Sequence, residues 1–227
     1  AVSPALGIEV FHNFTLLHDD IMDNAPLRRS HPTVHQKWNS NIAILSGDAM
    51  FVESVRLVMN APASSLKKVL EVFTKTALEV CEGQQLDMNF ETRSTVSEKE
   101  YIEMIRLKTA VLLGFSLQFG AMLAGAPKSD QDALYKFGTA IGIGFQLKDD
   151  LLDVFGDQEK FGKQVGGDII SNKKTFLLIQ ALEKSKGKMH QELVAWLTAK
   201  KFNKQKKVQA VTRIYKTLAI DVHTAKK

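Results

Sequence analysis

Two motifs of the pattern DDxxD, residues 19–23 and 149–153, lie inside stretches whose apolar residues recur at helical spacing. On a helix, the first and last aspartates of each motif are four residues apart and project from the same face. Like charges at that spacing destabilise a helix by about 0.2–0.5 kcal/mol, and burying carboxylates in apolar surroundings costs more. Both motifs therefore predict cationic partners, either metal ions or basic side chains.

A cluster of carboxylates suits Mg²⁺, which retains several waters and is commonly shared between a protein and substrate phosphates. Among 227 residues with 13 aspartates, one DDxxD motif arises by chance with a probability of about 0.04, and two on the order of 0.001. A solvated acidic helix end is the alternative for either motif alone. The pair favours a magnesium-dependent, phosphate-binding site.

Several basic and polar residues lie where they could hold phosphate. Arg28 and Arg29 follow the first motif, and guanidinium groups suit phosphate oxygens. The other candidates interrupt apolar helices or flank the glycine-rich loop after the second motif: Lys108, Thr109, Gln146, Lys163 and Lys173. For each candidate, a solvent-facing or snorkelling side chain is the alternative interpretation.

Helical periodicity over nearly the whole chain predicts an all-α fold. We expect helices near residues 1–24, 39–59, 64–90, 97–125, 129–155, 173–184, 188–199 and 204–226. Ser97 and Glu100 have the spacing of a capping box. Because no low-complexity linker divides the chain, we predict a single domain over residues 1–227.

Residues 109–127 carry no charge and are long enough to be weighed as a membrane span. Glycine and polar residues dilute this stretch, and Lys108 and Lys128 bound it tightly. A buried helix of a large bundle is the favoured interpretation, so we expect no transmembrane segment.

The net charge of +5 is compatible with nucleic acid, an anionic membrane surface or a small anionic substrate. Much of the excess lies in a lysine cluster, Lys200–Lys207, which is typical of a solvated helix face, and we expect no nucleic-acid partner. The single cysteine excludes an intramolecular disulfide, and a cytoplasmic setting is the simplest inference.

The order of several motifs along the chain resembles the trans-isoprenyl diphosphate synthases of the polyprenyl synthetase family. The resemblance covers nearly the whole chain and is carried by residues 17–23 with Arg28-Arg29, Gly47-Asp48, residues 82–87, Lys108-Thr109, residues 144–153, and Gly167-Asp168 through Lys173. It implies the isoprenoid synthase fold, a large helical bundle around a central apolar cavity. The implied reaction is the head-to-tail condensation of isopentenyl diphosphate with a dimethylallyl, geranyl or farnesyl diphosphate.

The same resemblance implies roles for the candidate residues. Asp19, Asp23 and Asp149 would ligate three Mg²⁺ ions, which Mn²⁺ could replace. A supporting role, in contact with metals, waters or cationic side chains, would fall to Asp20, Asp87, Asp150 and Asp153. The allylic diphosphate would be bound by Arg28, Lys108, Lys163 and Lys173, and isopentenyl diphosphate by Arg29. The carbonyl of Thr109 and the amide of Gln146 would stabilise an allylic cation.

Product length in the resembling family depends on bulk in the helix that precedes the first motif. Phe14 lies five residues before Asp19, Thr15 four and Phe11 eight, which places them about 7.5, 6 and 12 Å along the helix axis. A phenylalanine followed by a small residue is most similar to the pattern of C20 synthases, with C15 close behind. Packing within the core is the alternative explanation for both aromatic residues.

The chain starts at Ala1 in the middle of a helical pattern, and we expect segments missing at both ends. Family members carry part of their isopentenyl diphosphate site upstream, and the resemblance implies a homodimer. Three other interpretations stay open: a metal phosphohydrolase using His18 and Asp19, a non-catalytic subunit of a prenyltransferase, and a terpene cyclase. The phosphohydrolase leaves the second motif unexplained, and a non-catalytic subunit would be expected to lack the aspartate clusters or Lys108. A terpene cyclase is disfavoured by the second motif itself, since cyclases usually carry Asn, Ser and Glu ligands there.

Overall fold

Breaks in the apolar periodicity divide the chain into helices. In residues 2–156 and 166–227, which the computed structural model describes, these are α1 (Val2–Met22), α2 (Val34–Lys37), α3 (Ser40–Val58), α4 (Ala63–Thr92), α5 (Glu98–Ile105), α6 (Val111–Leu123), α7 (Lys128–Phe155), α8 (Gly167–Ser171), α9 (Phe176–Lys184), α10 (Gly187–Thr198), α11 (Lys204–Thr217) and α12 (Ile220–Ala225). A π-helical turn, Arg106–Ala110, joins α5 to α6. The predicted all-α class is confirmed.

Local sequence signals placed most helix ends correctly. The bounds of α3, α4, α7 and α10 lie within two residues of the predicted ones. At the start of α5, the Ser97 hydroxyl accepts from the Glu100 amide at 3.3 Å, and the Glu100 carboxylate accepts from the Ser97 amide at 2.9 Å. The predicted capping box is confirmed.

Two predicted helices are interrupted. The segment predicted as one helix over 204–226 breaks at Ala219, which has a φ of 51°, between α11 and α12. Beyond this break, Ile220 is completely buried. The single helix predicted over 204–226 is therefore two helices, α11 and α12. The helix predicted over 97–125 is interrupted by the π-helical turn.

The predicted loop over residues 24–38 contains more structure than its sequence indicates. Strands β1 (Leu27–Arg28) and β2 (His31–Pro32) pair antiparallel, with Arg28 opposite His31. Arg29 and Ser30 connect them with φ values of 51° and 64°, the left-handed conformation that a two-residue type I′ turn requires. Because Arg-Ser lacks the usual Asn-Gly signature, this hairpin was not predicted.

Contacts within the chain define two compact units. The first comprises residues 1–84 and 108–142, and the second comprises residues 85–107 and 143–227. The single domain over residues 1–227 stays a prediction.

The first unit has an aromatic core, and α1 packs against α3 and α6 in it. Its centre consists of Phe11, Phe73, Phe115 and Phe119, none of which is more than 2% exposed. Phe115 and Phe119 lie on α6, so the apolar stretch over 109–127 contributes a core helix, as predicted. Within residues 2–156 and 166–227, no helix has both the length and the apolar character needed to cross a membrane.

The second unit has two apolar clusters. One surrounds Leu177, Leu193 and Ile214, and the other surrounds Tyr101 and Phe176. In this unit, α9 packs against α5, α11 and α12, while α8 packs against α11. Because α9 carries both Phe176 and Leu177, it joins the two clusters.

Candidate active site

The first aspartate-rich motif lies at the carboxyl end of α1, where two basic side chains meet its carboxylates. Asp20 is buried and accepts hydrogen bonds from Arg28, at 2.6 Å from Nη2 and 3.0 Å from Nε. Asp19 lies 3.0 Å from Lys108 Nζ and 3.5 Å from Arg28 Nη2. The predicted cationic partners of these two carboxylates are therefore present.

The hairpin brings Arg28 to the motif. Buried Thr33 donates its hydroxyl to the carbonyl of Ala25 at 2.7 Å and so closes the loop. Burial lowers the pKa of Arg28, but the hydrogen bond to Asp20 and the charges of the motif outweigh it and raise that pKa above its ordinary value. Arg28 therefore carries a full charge at neutral pH.

Arg29 has a different environment from its neighbour. It lies in the hairpin turn with an exposed side chain. Among the residues that the structure describes, it makes no hydrogen bond or ion pair with the first motif. The two consecutive arginines are thus not equivalent, and only Arg28 is held at the motif.

Asp23 follows the last residue of α1 and is exposed. Its amide donates to the carbonyl of Asp19 at 2.8 Å, so the helical turn continues through the motif. Asp19 and Asp23 consequently leave the backbone on one face, as their spacing predicts.

Lys108 and Thr109 belong to the π-helical turn between α5 and α6. Such turns are frequent at functional sites, where the extra residue re-aims the side chains of a helix. Here the turn accompanies the contact of Lys108 with Asp19. Helical periodicity carries no signal for this feature, so it was missed.

His18 directly precedes the first motif and is closely packed. Its Nε2 lies 3.1 Å from the carbonyl oxygen of Ile44 and 3.9 Å from Asp48. A Cβ atom at Gly47 would lie only 2.2 Å from the same nitrogen, so only glycine leaves room for the ring. These contacts engage only Nε2 of His18, so the phosphohydrolase interpretation stays an alternative.

The three residues predicted to set product length lie in the first unit. Phe11 is completely buried, whereas Phe14 is half-buried and packs against Phe51, with the ring centroids 5.3 Å apart. The Thr15 hydroxyl donates to the carbonyl of His12 at 2.8 Å, a bond within its own helix. Phe51, on α3, is a neighbour of this site that the sequence did not indicate.

The second motif lies in the last turns of α7, and its central aspartate is buried among neutral donors. Asp150 accepts from the Tyr101 hydroxyl at 2.5 Å, the Phe176 amide at 3.2 Å and Gln146 Nε2 at 3.4 Å. Burial outweighs these hydrogen bonds and, with the charge of Asp168, raises the pKa of Asp150 to about 7. Burial and the charge of Asp150 likewise raise the pKa of Tyr101.

Asp153 organises the start of α8. Its carboxylate accepts from the Asp168 amide at 3.1 Å, and its carbonyl accepts from the Gly166 amide at 2.6 Å. Gly166 has a φ of 83°, a conformation suited to glycine. Asp168 is thereby placed near the second motif, and it was absent from the predicted site residues although Gly167-Asp168 was recognised as a motif.

Asp87, on α4, lies 3.7 Å from Lys173 Nζ. Both belong to the predicted site, and both lie in the second unit. Asp149 is half-buried and makes no hydrogen bond or ion pair with any residue that the structure describes. Lys163 lies outside the described residues.

Among residues 2–156 and 166–227, no group of three or more His, Cys, Asp and Glu side chains is arranged to hold a metal ion. The donor chemistry nevertheless fits Mg²⁺. Asp19 and Asp23 present carboxylates on one face, and Asp149 has its carboxylate uncommitted. Asp150 fits this role less well, since its oxygens accept from Tyr101, Phe176 and Gln146. Asp19 and Asp20 both contact cationic side chains, so a metal ion at either would share the carboxylate with Arg28 or Lys108.

Comparison with known proteins gives a consistent result. The model of the family described as polyprenyl synthetase matches residues 1–215. The geranylgeranyl diphosphate synthase of Methanosarcina mazei is 46% identical over 183 residues, which are 79% of this chain and 56% of that protein. The chain thus spans somewhat more than half the length of this curated relative.

Solved structures show the same similarity. A geranylgeranyl pyrophosphate synthase has a TM-score of 0.93 and 46% identity, covering 99% of this chain and 69% of its own. The geranylgeranyl pyrophosphate synthase of Corynebacterium glutamicum, solved with isoprenyl diphosphate and magnesium, has a TM-score of 0.87 and 29% identity, covering 98% of this chain and 68% of its own.

Proposed function

The chain belongs to the polyprenyl synthetase family, and on that premise we propose that the protein condenses isopentenyl diphosphate with an allylic diphosphate in a magnesium-dependent, head-to-tail reaction. The products are a trans-prenyl diphosphate, with C20 favoured over C15, and free diphosphate. The observation that carries this proposal is the placement of Arg28 and Lys108 against Asp19, because two cations and an acidic ligand suit a metal-bound diphosphate.

Asp19 and Asp23 in the first unit and Asp149 in the second are the proposed magnesium ligands. When bound, three Mg²⁺ ions would neutralise the charge that develops on the departing diphosphate, a role that Mn²⁺ would also fill. Asp20 has a different part: by binding Arg28 in a bidentate manner, it sets the direction of the guanidinium group.

Arg28, Lys108 and Lys173 are the proposed ligands of the allylic diphosphate. Arg28 and Lys108 already lie beside the first motif, so they are oriented before substrate arrives. Lys173 lies beside Asp87, which holds its ammonium group in the second unit. Lys163 and Arg29 keep their proposed contacts with the allylic and isopentenyl diphosphates on the family resemblance alone.

The reaction breaks the carbon–oxygen bond of the allylic diphosphate and leaves an allylic cation. The double bond of isopentenyl diphosphate attacks this cation, and a proton then leaves the new chain for the released diphosphate. The Thr109 carbonyl and the Gln146 amide stabilise the cation through their dipoles. Water has to be kept away, since it would capture the cation as an alcohol.

Phe11, Phe14 and Thr15 are the proposed floor for the growing chain. Support comes from the packing of half-buried Phe14 against Phe51 and completely buried Phe11. A homodimer, on the family resemblance, and a cytoplasmic location, on the single cysteine, complete the proposal.

The test is product analysis by chromatography after the full-length protein is incubated with isopentenyl diphosphate, Mg²⁺ and, in turn, each allylic diphosphate. We expect prenyl diphosphates that end at C20, and no elongation in Asp19→Asn. Exposed Asp130→Asn is the matched control and should elongate normally. Phosphate release from nucleotides without any elongation would instead support a phosphohydrolase.

A further inference from the structure

Lys207 is the one member of the lysine cluster over 200–207 that does not lie on a solvated face. Its side chain is completely buried, although it belongs to a run that predicts exposure. The neighbouring Lys204 and Lys206 are exposed on the same helix, α11. A buried ammonium group loses its hydration, so its surroundings have to replace it.

Neutral groups surround this ammonium. Lys207 Nζ donates to the side-chain oxygen of Asn172 at 2.5 Å and to the carbonyl of Ile170 at 3.3 Å, and it lies 4.3 Å from the centre of the Phe202 ring. No carboxylate of the described residues pairs with it. Desolvation lowers the pKa of Lys207.

The two acceptors lie at the end of α8: Ile170 is in its last turn, and Asn172 directly follows it. Asn172 has a φ of 59°, which is strained for a residue other than glycine or asparagine, and its Nδ2 donates to the carbonyl of Leu197 at 3.0 Å. The side chain of Asn172 is therefore held from two directions, by α10 and by α11. This contact fixes the turn immediately before Lys173.

The rest of this segment is attached to the second aspartate-rich motif. The Asp168 amide donates to the carboxylate of Asp153 at 3.1 Å, and the Phe176 amide donates to Asp150 at 3.2 Å. Between these two attachments, the Lys173 amide donates to the carbonyl of Asp168 at 3.0 Å. The second motif thus holds both ends of this segment, and Lys207 holds the turn between them.

We propose that Lys207 is a positioning residue for Lys173. By holding Asn172 in the left-handed conformation, it directs the Lys173 side chain toward the diphosphate that this residue binds. The inference rests on the proposed function for the role of Lys173, whereas the ordering of the turn does not depend on that function.

The test compares Lys207→Met with exposed Lys206→Met in the full-length protein. We expect Lys207→Met to weaken the binding of inorganic diphosphate in Mg²⁺, measured by calorimetry, by about tenfold and to raise the KM for the allylic diphosphate by a similar factor. Lys206→Met should change neither quantity. Unaltered diphosphate binding in folded Lys207→Met would overturn the proposal.

A double-mutant cycle separates positioning from a general structural role. If Lys207 acts through Lys173, Lys207→Met should have no further effect on diphosphate binding in a Lys173→Met background. Equal losses in both backgrounds would contradict the proposal. Should Lys207→Met fail to fold, Asn172→Gly decides, because glycine keeps the left-handed turn while removing the acceptor, and it should also weaken binding.

Hydrogen exchange gives a readout that does not depend on turnover. Lys207→Met should speed exchange of the amides of Asn172 and Lys173 relative to Lys206→Met, and unchanged exchange would overturn the proposal. A failure of the proposed function would look different, since the wild-type protein itself would then form no prenyl product.

Discussion

Asp20 and Asp150 occupy the same place in two copies of one motif, yet their partners differ in kind. Asp20 accepts from the guanidinium group of Arg28, which is charged, whereas Asp150 accepts from a phenol, an amide side chain and a backbone amide, which are neutral. Both carboxylates are buried. The pKa of Asp150 consequently rises to about 7.

The motif therefore specifies the positions of three carboxylates but not the donors that each of them meets. Asp150, buried among neutral donors, approaches neutrality at physiological pH, whereas Asp20 has a cationic partner. The first site is therefore expected to fail when a cation is removed. The second should respond to pH and to the loss of hydrogen-bond donors.

The largest effect is expected from Lys108→Met, which removes one of the two cations at Asp19. Its loss should lower kcat by about 10²–10³-fold, since a charged group that stabilises the departing diphosphate contributes roughly 3–4 kcal/mol. Steady-state kinetics with the allylic diphosphate measure this. Lys136→Met, at an exposed position of the first unit, is the control, and equal activity of the two variants would refute the assignment.

Arg28→Met should reduce the free energy of unfolding by about 2–3 kcal/mol, because it leaves Asp20 buried without its cation. The effect is smaller than for a fully buried pair, since the Arg28 side chain is 34% exposed. Chemical denaturation measures the change. Adding Asp20→Asn should recover much of the loss, and Arg29→Met should cause little loss of stability.

Asp150→Asn should remove a pH dependence that the wild-type protein has in metal-free buffer. The folded-state pKa of about 7 exceeds the ordinary 3.8, so near neutral pH the folded state binds more protons than the unfolded state. Stability therefore rises as pH falls, by about 1.4 kcal/mol between pH 8 and pH 6. Chemical denaturation at pH 6 and pH 8 measures the free energy of unfolding of both proteins. An equal change with pH in wild type and Asp150→Asn would contradict this prediction.

The smallest effect is expected from Tyr101→Phe, which removes one donor to Asp150 and leaves the other two. The free energy of unfolding should fall by about 1 kcal/mol at pH 8. At pH 6 the loss should be smaller, because a protonated Asp150 requires fewer donors. A loss of the same size at both pH values would show that the contribution of the Tyr101 hydroxyl does not depend on the charge of Asp150.

Much of the fold could be predicted because it depends on local patterns. Apolar periodicity located α3, α4, α7 and α10, and the Ser97–Glu100 capping box marked the start of α5. The π-helical turn and the break at Ala219 could not be predicted, since neither leaves a signal in the apolar periodicity. The hairpin was missed because Arg-Ser is an unusual type I′ turn.

The candidate site divides in the same way. Spacing placed Asp19 and Asp23 on one face, while Arg28 and Lys108 were predicted only as ligands of phosphate. It could not distinguish Arg28 from Arg29, because only the hairpin decides which guanidinium reaches Asp20. It also gave no indication of Tyr101 as a partner of Asp150, since these residues are 49 positions apart.

The helical class, the two aspartate-rich motifs and the family follow from the amino-acid sequence, because they depend on residue types at short spacings. Which carboxylates are buried, and which donors they meet, is set by the packing of the folded chain. Burial and hydrogen bonding depend on residues far apart in the chain, and they set the charge of each group. Asp20 and Asp150, alike in sequence, are for that reason chemically different groups in the folded protein.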